Sequence, residues 1–411
     1  MKKIALIHFA YPPNTGGVEV LLREHAIALT ELGYAITVFT GSGEEKDPRI
    51  KLLVLPELQS VMATNANLQN KMLEQGIIDD EFYQLSATIN QKLDQHLANQ
   101  DIIIVHNMLT VVRNLPFTYA FKKFTEKYPN KKYISWVHDH SYIHQQKIKN
   151  LAEVAKSKFE KELMTIPLPN VNYVTISEVF KKAVKELMGL EDNQITVIYN
   201  GLNIKRFLEI DDLIWDFIQN YKLLKAYPFI LQPVNILGRK NLEYSLAIIK
   251  ELVTDFPDIK LLITGNVSQH RSTTEYLQII KKQIIEYHLS QAVIFLNEIT
   301  SQSLDDSALH DLYSLSDLIF YFSKSENFGL PLLEAALAKT PIFLSDLEVF
   351  HEIGQNHVNY IDYNETSAKD AAKIILEKIQ TDKNIQAQKL AKQNFNLNQL
   401  LQQKLIPIFD L

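Results

Sequence analysis

Short runs rich in β-branched and aromatic residues alternate with longer amphipathic stretches from one end of the 411-residue chain to the other. This alternation constrains the fold more than any other feature of the sequence. A run of four to eight apolar residues bounded by turn signals reads as a strand buried on both faces, and such strands need helices to cover them. The pattern therefore predicts an α/β fold built on parallel sheets. One series of strands is expected at 3–9, 35–40, 102–106, 133–138, 171–175 and 195–198, and a second at 229–234, 260–264, 292–296, 318–322 and 341–344. Between the two series, 200–227 carries the turn signal Asn200-Gly201 and no clear strand, so the chain is expected to pass there from one domain to another. The length also fits two cores better than one. The expected division is 1–205, 206–390, and a terminal helix over 391–411 packing back on the first domain.

Composition narrows the chemistry. With 46% hydrophobic and 22% charged residues the chain has the make-up of a packed globular protein, and its formal charge of -6 gives no general attraction to nucleic acid. The absence of cysteine removes disulfides, thiolate metal sites and thiol nucleophiles together, and is compatible with a reducing compartment. The apolar run after Met1-Lys2-Lys3 is short and leads into Tyr11-Pro12-Pro13 without a small-residue cleavage site, so no export signal is expected. No stretch is long and apolar enough to span a bilayer. A cytoplasmic protein is expected, with peripheral contact at the inner membrane face as the other option. Two stretches exceed what a sheet crossover needs, 59–100 and 141–170, and their helical spacing marks them as ordered additions. The second carries Lys147, Lys149, Lys156, Lys158 and Lys161, which could face an acceptor or anionic lipid, but Glu153, Glu160 and Glu162 among them favour a solvated helix face.

The stretch Ser323-Lys324-Ser325-Glu326-Asn327-Phe328-Gly329-Leu330-Pro331-Leu332-Leu333-Glu334 lies between an expected strand and a helix that Pro331 can open in its first turn. Ligands of open parallel sheets bind at such strand ends. Gly329 permits close backbone approach, and the unpaired amides at the start of a helix favour phosphate. Glu326 and Glu334 bracket that amide nest. Chemistry alone also allows a plainer reading, in which Glu334 complements the helix dipole from the first turn and Glu326 is an ordinary loop residue.

The string resembles the Glu-x7-Glu motif of retaining glycosyltransferases, and Glu326 to Pro331 with Leu333-Glu334-Ala335 is similar to glycosyltransferase family 4 in particular. The resemblance implies the GT-B fold: two Rossmann-like parallel-sheet domains facing across a cleft, the first on the acceptor side and the second on the nucleotide-sugar side. It implies that Glu326 contacts the transferred sugar and that Glu334 holds the ribose hydroxyls. Asn327 and the amides of Phe328, Gly329 and Leu330 would line the sugar and phosphate site. Further parts of the family pattern follow in order along the chain. Tyr11-Pro12-Pro13-Asn14-Thr15-Gly16-Gly17-Val18-Glu19 is similar to the family's glycine-rich loop, with Gly16 and Gly17 letting backbone approach the donor. Trp136-Val137-His138-Asp139-His140 stands where the family has a histidine near the donor sugar, which assigns that contact to His138. His138, His140 and His144 with Asp139 could alternatively be metal ligands, though their spacing is loose. Pro233 to Asn241 resembles the segment whose basic side chains hold the diphosphate, with Lys240 in the lysine position. The sequence departs from the family once: an arginine usually stands about five residues before that lysine, where this chain has Asn235, leaving Arg239 as the nearest candidate for its role.

The activity so implied is transfer of a sugar from a nucleoside diphosphate, with uridine the preferred base and guanosine the other, to a glycan, lipid-linked or small-molecule acceptor with retention of configuration. No cofactor or metal is expected, since no Asp-x-Asp stands at a strand end. The same fold serves nucleotide-sugar epimerases and phosphorylases, and two α/β lobes also describe non-catalytic sugar-binding proteins.

Overall fold

The computed structural model describes residues 1–14, 16–143, 155–265, 271–299 and 304–410. The chain divides into two compact units, one comprising Met1–Gly201 with Leu397–Leu411, the other Leu202–Asn396.

The first unit is built on a seven-stranded sheet in the order β3-β2-β1-β4-β5-β6-β7, every pair parallel. The strands are β1 (Lys3–His8), β2 (Ala35–Thr40), β3 (Lys51–Val54), β4 (Ile102–His106), β5 (Lys132–Val137), β6 (Val171–Thr175) and β7 (Ile195–Val197). Strand β4 is buried at every residue, which is why its sequence reads as a continuous apolar run rather than an alternation. The alternation survives in which core each side chain joins. Ala5 and Ile7 of β1 pack with Ile103, Phe117 and Phe121, while Ile4 and Leu6 pack with Ile104, Trp136, Leu22 and the terminal Leu401 and Leu405. Successive side chains on a strand point to opposite faces, so the sheet has a core on each side. The expected addition after β3 is a set of helices, Val61–Thr64, Ala66–Leu73 and Asp80–Leu97. Val61, Leu68, Met72 and Phe82 from these form a small core of their own with Leu115, Tyr142 and Met164. Of the lysines singled out in 141–170, Lys147 and Lys149 lie outside the described residues. Lys158 and Lys161 sit on the helix Lys158–Thr165, whose Glu160 is turned inward to accept a hydrogen bond from Tyr142.

The second unit carries a six-stranded parallel sheet in the order β10-β9-β8-β11-β12-β13. Its strands are β8 (Phe229–Gln232), β9 (Lys260–Ile263), β10 (Val293–Phe295), β11 (Leu318–Tyr321), β12 (Ile342–Ser345) and β13 (Asn359–Ile361). One continuous core gathers all six with the inward faces of helices such as Leu242–Leu252, where Leu242, Leu246, Ile249 and Leu252 recur at helical spacing. Each such leucine contributes about 1.5–3 kcal/mol by leaving water. Strand order reverses between β8 and β11, so the chains leaving these two neighbours diverge and open a crevice at their carboxyl ends. Two strands, β3 and β13, were not expected from sequence. Both are edge strands of three or four residues, and each has only partly covered side chains apart from Ile361, so neither presents the buried run that reveals a central strand.

Candidate functional site

The crevice of the second unit is a cavity of about 730 Å³. Its walls come from the chain just beyond β8 (Pro233, Val234, Asn235), β9 (Thr264, Gly265), β10 (Leu296, Asn297) and β11 (Ser325 to Pro331). Gly265 makes this possible, because a Cβ there would stand 1.9 Å from the carbonyl oxygen of Val234. Only glycine lets the segments after β8 and β9 lie so close.

After β8 the chain enters a single 3-10 turn, Gly238–Lys240, and Asn241 in the left-handed region stops it before the helix Leu242–Leu252. The turn presents Arg239 and Lys240 to the cavity. Its backbone is tied to the loop beyond β11, where the amide of Lys324 donates to the carbonyl of Arg239 at 2.7 Å. The two cations then meet on one atom. Arg239 Nη1 donates to Glu326 Oε1 at 2.9 Å, and Lys240 Nζ donates to the same oxygen. Lys240 and Glu326 are each about a tenth exposed at the side chain, 10% and 11%, whereas Arg239 is 48% exposed. Lys240 Nζ also lies 5.1 Å from the centre of the Tyr321 ring, within cation–π range. Burial would raise the Glu326 carboxyl, but the hydrogen bond from Lys240 and the charges of Lys240 and Arg239 prevail and hold it below the usual carboxylate range. The carboxylate is thus ionised, and two positive charges surround one negative charge.

Beyond Glu326 the loop turns into the helix Leu330–Leu337 through Gly329, at φ 118°. A Cβ at Gly329 would approach Phe350 to 2.6 Å, so both conformation and space demand glycine. Asn327, Phe328, Gly329, Leu330 and Pro331 all line the cavity, and the helix start adds amides that no helical carbonyl can satisfy. Glu334 stands apart. It falls in the second turn of the helix, which has no acidic residue in its first turn. It is half-buried and accepts a hydrogen bond from Tyr313 Oη at 2.7 Å, and it is not among the residues lining the cavity. The first-turn dipole role considered from sequence is therefore corrected. Burial and the neighbouring Glu334 carboxylate both raise the Tyr313 phenol, which keeps it a hydrogen-bond donor.

Gly16, Gly17 and His138 belong to the first unit. Gly16 is the extended residue before the helix Gly17–Glu31, and nothing lies within 4 Å of a Cβ built at Gly17. Glu19, in that helix's first turn, is held below the usual carboxylate range first by its contact with His8, whose Nε2 lies 3.6 Å away. His138 directly follows β5. Its Nε2 shares a hydrogen bond of 3.1 Å with Nδ1 of His106, and its amide donates to Asn107 Oδ1. Burial, with the nearby His25 and His8, pushes the His138 imidazole down to about 3, so the ring is neutral at ordinary pH. His140 turns the other way and hydrogen-bonds to the carbonyl of Met164. His144 lies outside the described residues. Among the described residues no three His, Cys, Asp or Glu side chains are grouped as metal ligands, and no helix is long and apolar enough to cross a membrane.

Tyr321, Thr264, Gly265, Leu296 and Asn297 escaped the sequence reading. They come from three strand ends, those of β9, β10 and β11, and only the strand order brings them together.

Comparison with known proteins addresses both units. The family model for Glycosyltransferase Family 4 matches residues 15–206, and that for Glycosyl transferases group 1 matches residues 214–396. The O-antigen chain mannosyltransferase RfbU of Salmonella typhimurium is 25% identical over 48% of this chain and 49% of its own length. The chain thus spans about half of that relative. The mannosylglucosylglycerate synthase of Thermotoga maritima is 22% identical over 85% of this chain and 81% of its own. Among solved structures, a sucrose-phosphate synthase from Thermosynechococcus elongatus aligns over 99% of this chain and 98% of its own, at 18% identity and a TM-score of 0.40. With a parallel Rossmann-like sheet in each unit and the two family models matching them in turn, the chain belongs to the glycosyltransferases of family 4.

Proposed function

We propose that this chain is a retaining, metal-independent hexosyltransferase that takes a sugar from a nucleoside diphosphate and passes it to a hydroxyl of a glycan or lipid-linked acceptor. The observation that carries this reading is the convergence of Arg239 and Lys240 on one oxygen of Glu326, at the reversal of strand order and beside a helix start. In the reaction the bond between the anomeric carbon and the diphosphate oxygen breaks. Charge grows on the departing diphosphate, where Arg239, Lys240 and the amides of Gly329 and Leu330 at the helix start meet it. Preorganised cations supply the countercharge a metal ion would otherwise bring. The acceptor oxygen bonds to the anomeric carbon from the face the diphosphate leaves, and its proton passes to the departing phosphate oxygen. Configuration is retained and no side-chain base is required.

Glu326, once phosphate has taken over its cations, faces the positive charge that builds at the sugar ring. The ribose hydroxyls are assigned to Glu334 on the family resemblance alone, since its carboxylate lies outside the cavity lining and is held by Tyr313. The neutral imidazole of His138 is assigned a hydrogen bond to the donor sugar, and Gly16 and Gly17 the close backbone approach to it. The names of the relatives make mannose the first sugar to test and a glycan the first acceptor; uridine and guanosine diphosphate sugars are the donors to compare. The test is incubation with UDP- and GDP-hexoses in EDTA, with NMR of the product. Release of nucleoside diphosphate with a retained anomeric centre is expected. An inverted product, or activity that returns only with manganese, would refute the mechanism.

A further inference from the structure

His138 follows β5 with no regular structure of its own to hold it, and both of its anchors come from the end of β4. Asn107, in the left-handed region at φ 52°, accepts the amides of His138 and Asp139 on its Oδ1 at 3.1 and 2.7 Å. His106, the last residue of β4, is wholly buried and stands opposite Trp136 in the register of β4 with β5. Its ring runs nearly parallel to those of Trp136 and His138, with centres 5.3 and 5.4 Å away at interplanar angles of 15° and 19°. Packed in this way the His106 ring cannot turn, which fixes where its Nδ1 points: at Nε2 of His138, 3.1 Å away.

Burial holds both imidazoles below the usual histidine range, so both rings are neutral and a single proton lies between them. It has two places to sit. Either His106 Nδ1–H donates and His138 carries its own proton on Nδ1, or His138 Nε2–H donates and the proton of His106 moves to Nε2. The surroundings separate the two. Nε2 of His106 is sealed from water and has no partner among the described residues, and an N–H buried without an acceptor is a rare orphan in folded proteins. The first arrangement leaves only a lone pair at that atom. It places the free proton on Nδ1 of His138, which makes no hydrogen bond among the described residues and, unlike Nε2 of His106, is not sealed from water.

We propose that His106 is a positioning residue: donating from Nδ1 to His138 Nε2, it holds the His138 ring in one orientation with the proton on Nδ1, so that Nδ1 is the donor His138 offers to the transferred sugar. Which nitrogen of a histidine carries the proton is set by the bond the other nitrogen makes. The sugar contact rests on the proposed role of His138, whereas the tautomer does not.

Proton–nitrogen correlation spectra of the full chain, isotope-labelled in its histidine rings and held at neutral pH, test it, with His138→Gln assigning the His138 signals by their loss. His138 should show its proton on Nδ1. In His106→Phe, which keeps a ring beside Trp136 but has no donor, the proton should move to Nε2, the tautomer a free neutral histidine prefers. In His106→Asn, whose carboxamide can donate from near the place of Nδ1, it should stay. With the nucleotide sugar that serves as donor, His106→Phe should lower kcat/KM by about ten- to a hundredfold, His106→Asn by less, and His106→Phe should cost little more once His138→Ala is in place. A proton on Nε2 of His138 in the parent overturns the inference, and that spectrum decides even where a variant does not fold. The inference also falls if His106→Phe keeps both the Nδ1 proton and kcat/KM, or if its loss adds in full to that of His138→Ala. Should His138→Ala keep kcat/KM, the proposed role of His138 falls and the sugar contact with it, while the spectra still decide the tautomer.

Discussion

Replacing Glu326 with glutamine should make the protein bind nucleoside diphosphate more tightly and turn over more slowly. Glu326 occupies the two cations that the proposed function gives to the diphosphate, with Arg239 at 2.9 Å and Lys240 on the same oxygen. A diphosphate must break those contacts before it gains its own. Hydrogen bonds to charged groups contribute about 1.5–3 kcal/mol, but the contact from the half-exposed Arg239 is screened by water and counts for less. Removing the competing charge should therefore return about 1–2 kcal/mol to the ligand, or roughly five- to thirtyfold in Kd. The same change removes the charge proposed to face the sugar in the transition state, and losing one such electrostatic contact typically lowers kcat by about 10²–10³. Calorimetry with UDP and GDP gives the first quantity and initial rates give the second. The opposite signs matter, because a merely damaged fold would weaken both. A Glu326→Gln protein that binds nucleoside diphosphate more weakly than the parent, or keeps its kcat, refutes the reasoning.

Three further outcomes follow from the contacts. Lys240→Ala should lower kcat/KM by about ten- to a hundredfold, and Arg239→Ala by less because its guanidinium is half-exposed; steady-state kinetics decides, and a silent Lys240→Ala would remove the diphosphate assignment. Lys392 Nζ reaches the wholly buried Asp317 at 2.5 Å, and Asp317 also accepts the amide of Phe229 at the start of β8. Lys392→Met strands that charge, so urea denaturation should show a loss of about 3–5 kcal/mol, partly restored by adding Asp317→Asn. His25 is packed against Trp136 and His106 with neither ring nitrogen hydrogen-bonded among the described residues, and burial drives its pKa down to about 3. Below pH 6.5 the unfolded chain takes up a proton at this position that the folded protein refuses. The stability His25 contributes is thus complete above pH 6.5 and falls by up to about 1.4 kcal/mol per pH unit as pH drops toward 3. The melting temperature of His25→Phe should fall less steeply than that of the parent between pH 6.5 and 4.5.

What could be read in the sequence was what local physics writes into a contiguous stretch. The central strands were visible because burial on both faces forces an unbroken apolar run, as in the residues of β4. The loop from Ser323 to Glu334 was visible because a ligand site at a strand end needs glycine, a helix start and charge within a few residues. Glu334 shows the limit of such a reading. Its spacing from Glu326 is evident, but its bond to Tyr313 depends on how the helix Asp306–Leu315 packs, which no local pattern records. Asn297 and Gly265 were hidden for a related reason. Each contributes one residue to a wall assembled by strand order, and an isolated asparagine or glycine after a strand has many ordinary explanations.

For Arg239 the structure shows where the side chain lies, which the sequence could only ask. With Asn235 in the position where the resemblance leads one to expect arginine, the sequence supplies one cation fewer, and Arg239 is a replacement only if its side chain turns toward the cavity. Residues 239 and 240 are adjacent in a 3-10 turn, where successive side chains diverge by about 120°. Backbone direction alone would therefore send one of them away. The guanidinium, which extends the reach of the arginine side chain, closes the difference. With its carbonyl pinned by the amide of Lys324, the Arg239 guanidinium swings over to Glu326 Oε1 and to the carbonyl of Ser325 at 3.3 Å, while Lys240 reaches the same carboxylate oxygen from its buried position beside Tyr321. Both contacts come from Nη1 alone, and lysine at 239 would offer a point charge in place of a planar guanidinium that can meet a phosphate with two donors at once. Arg239→Lys should therefore keep the charge of the site but recover only part of the affinity for diphosphate that Arg239→Ala loses. Full recovery would mean that charge, rather than the geometry of the guanidinium, is what this position supplies.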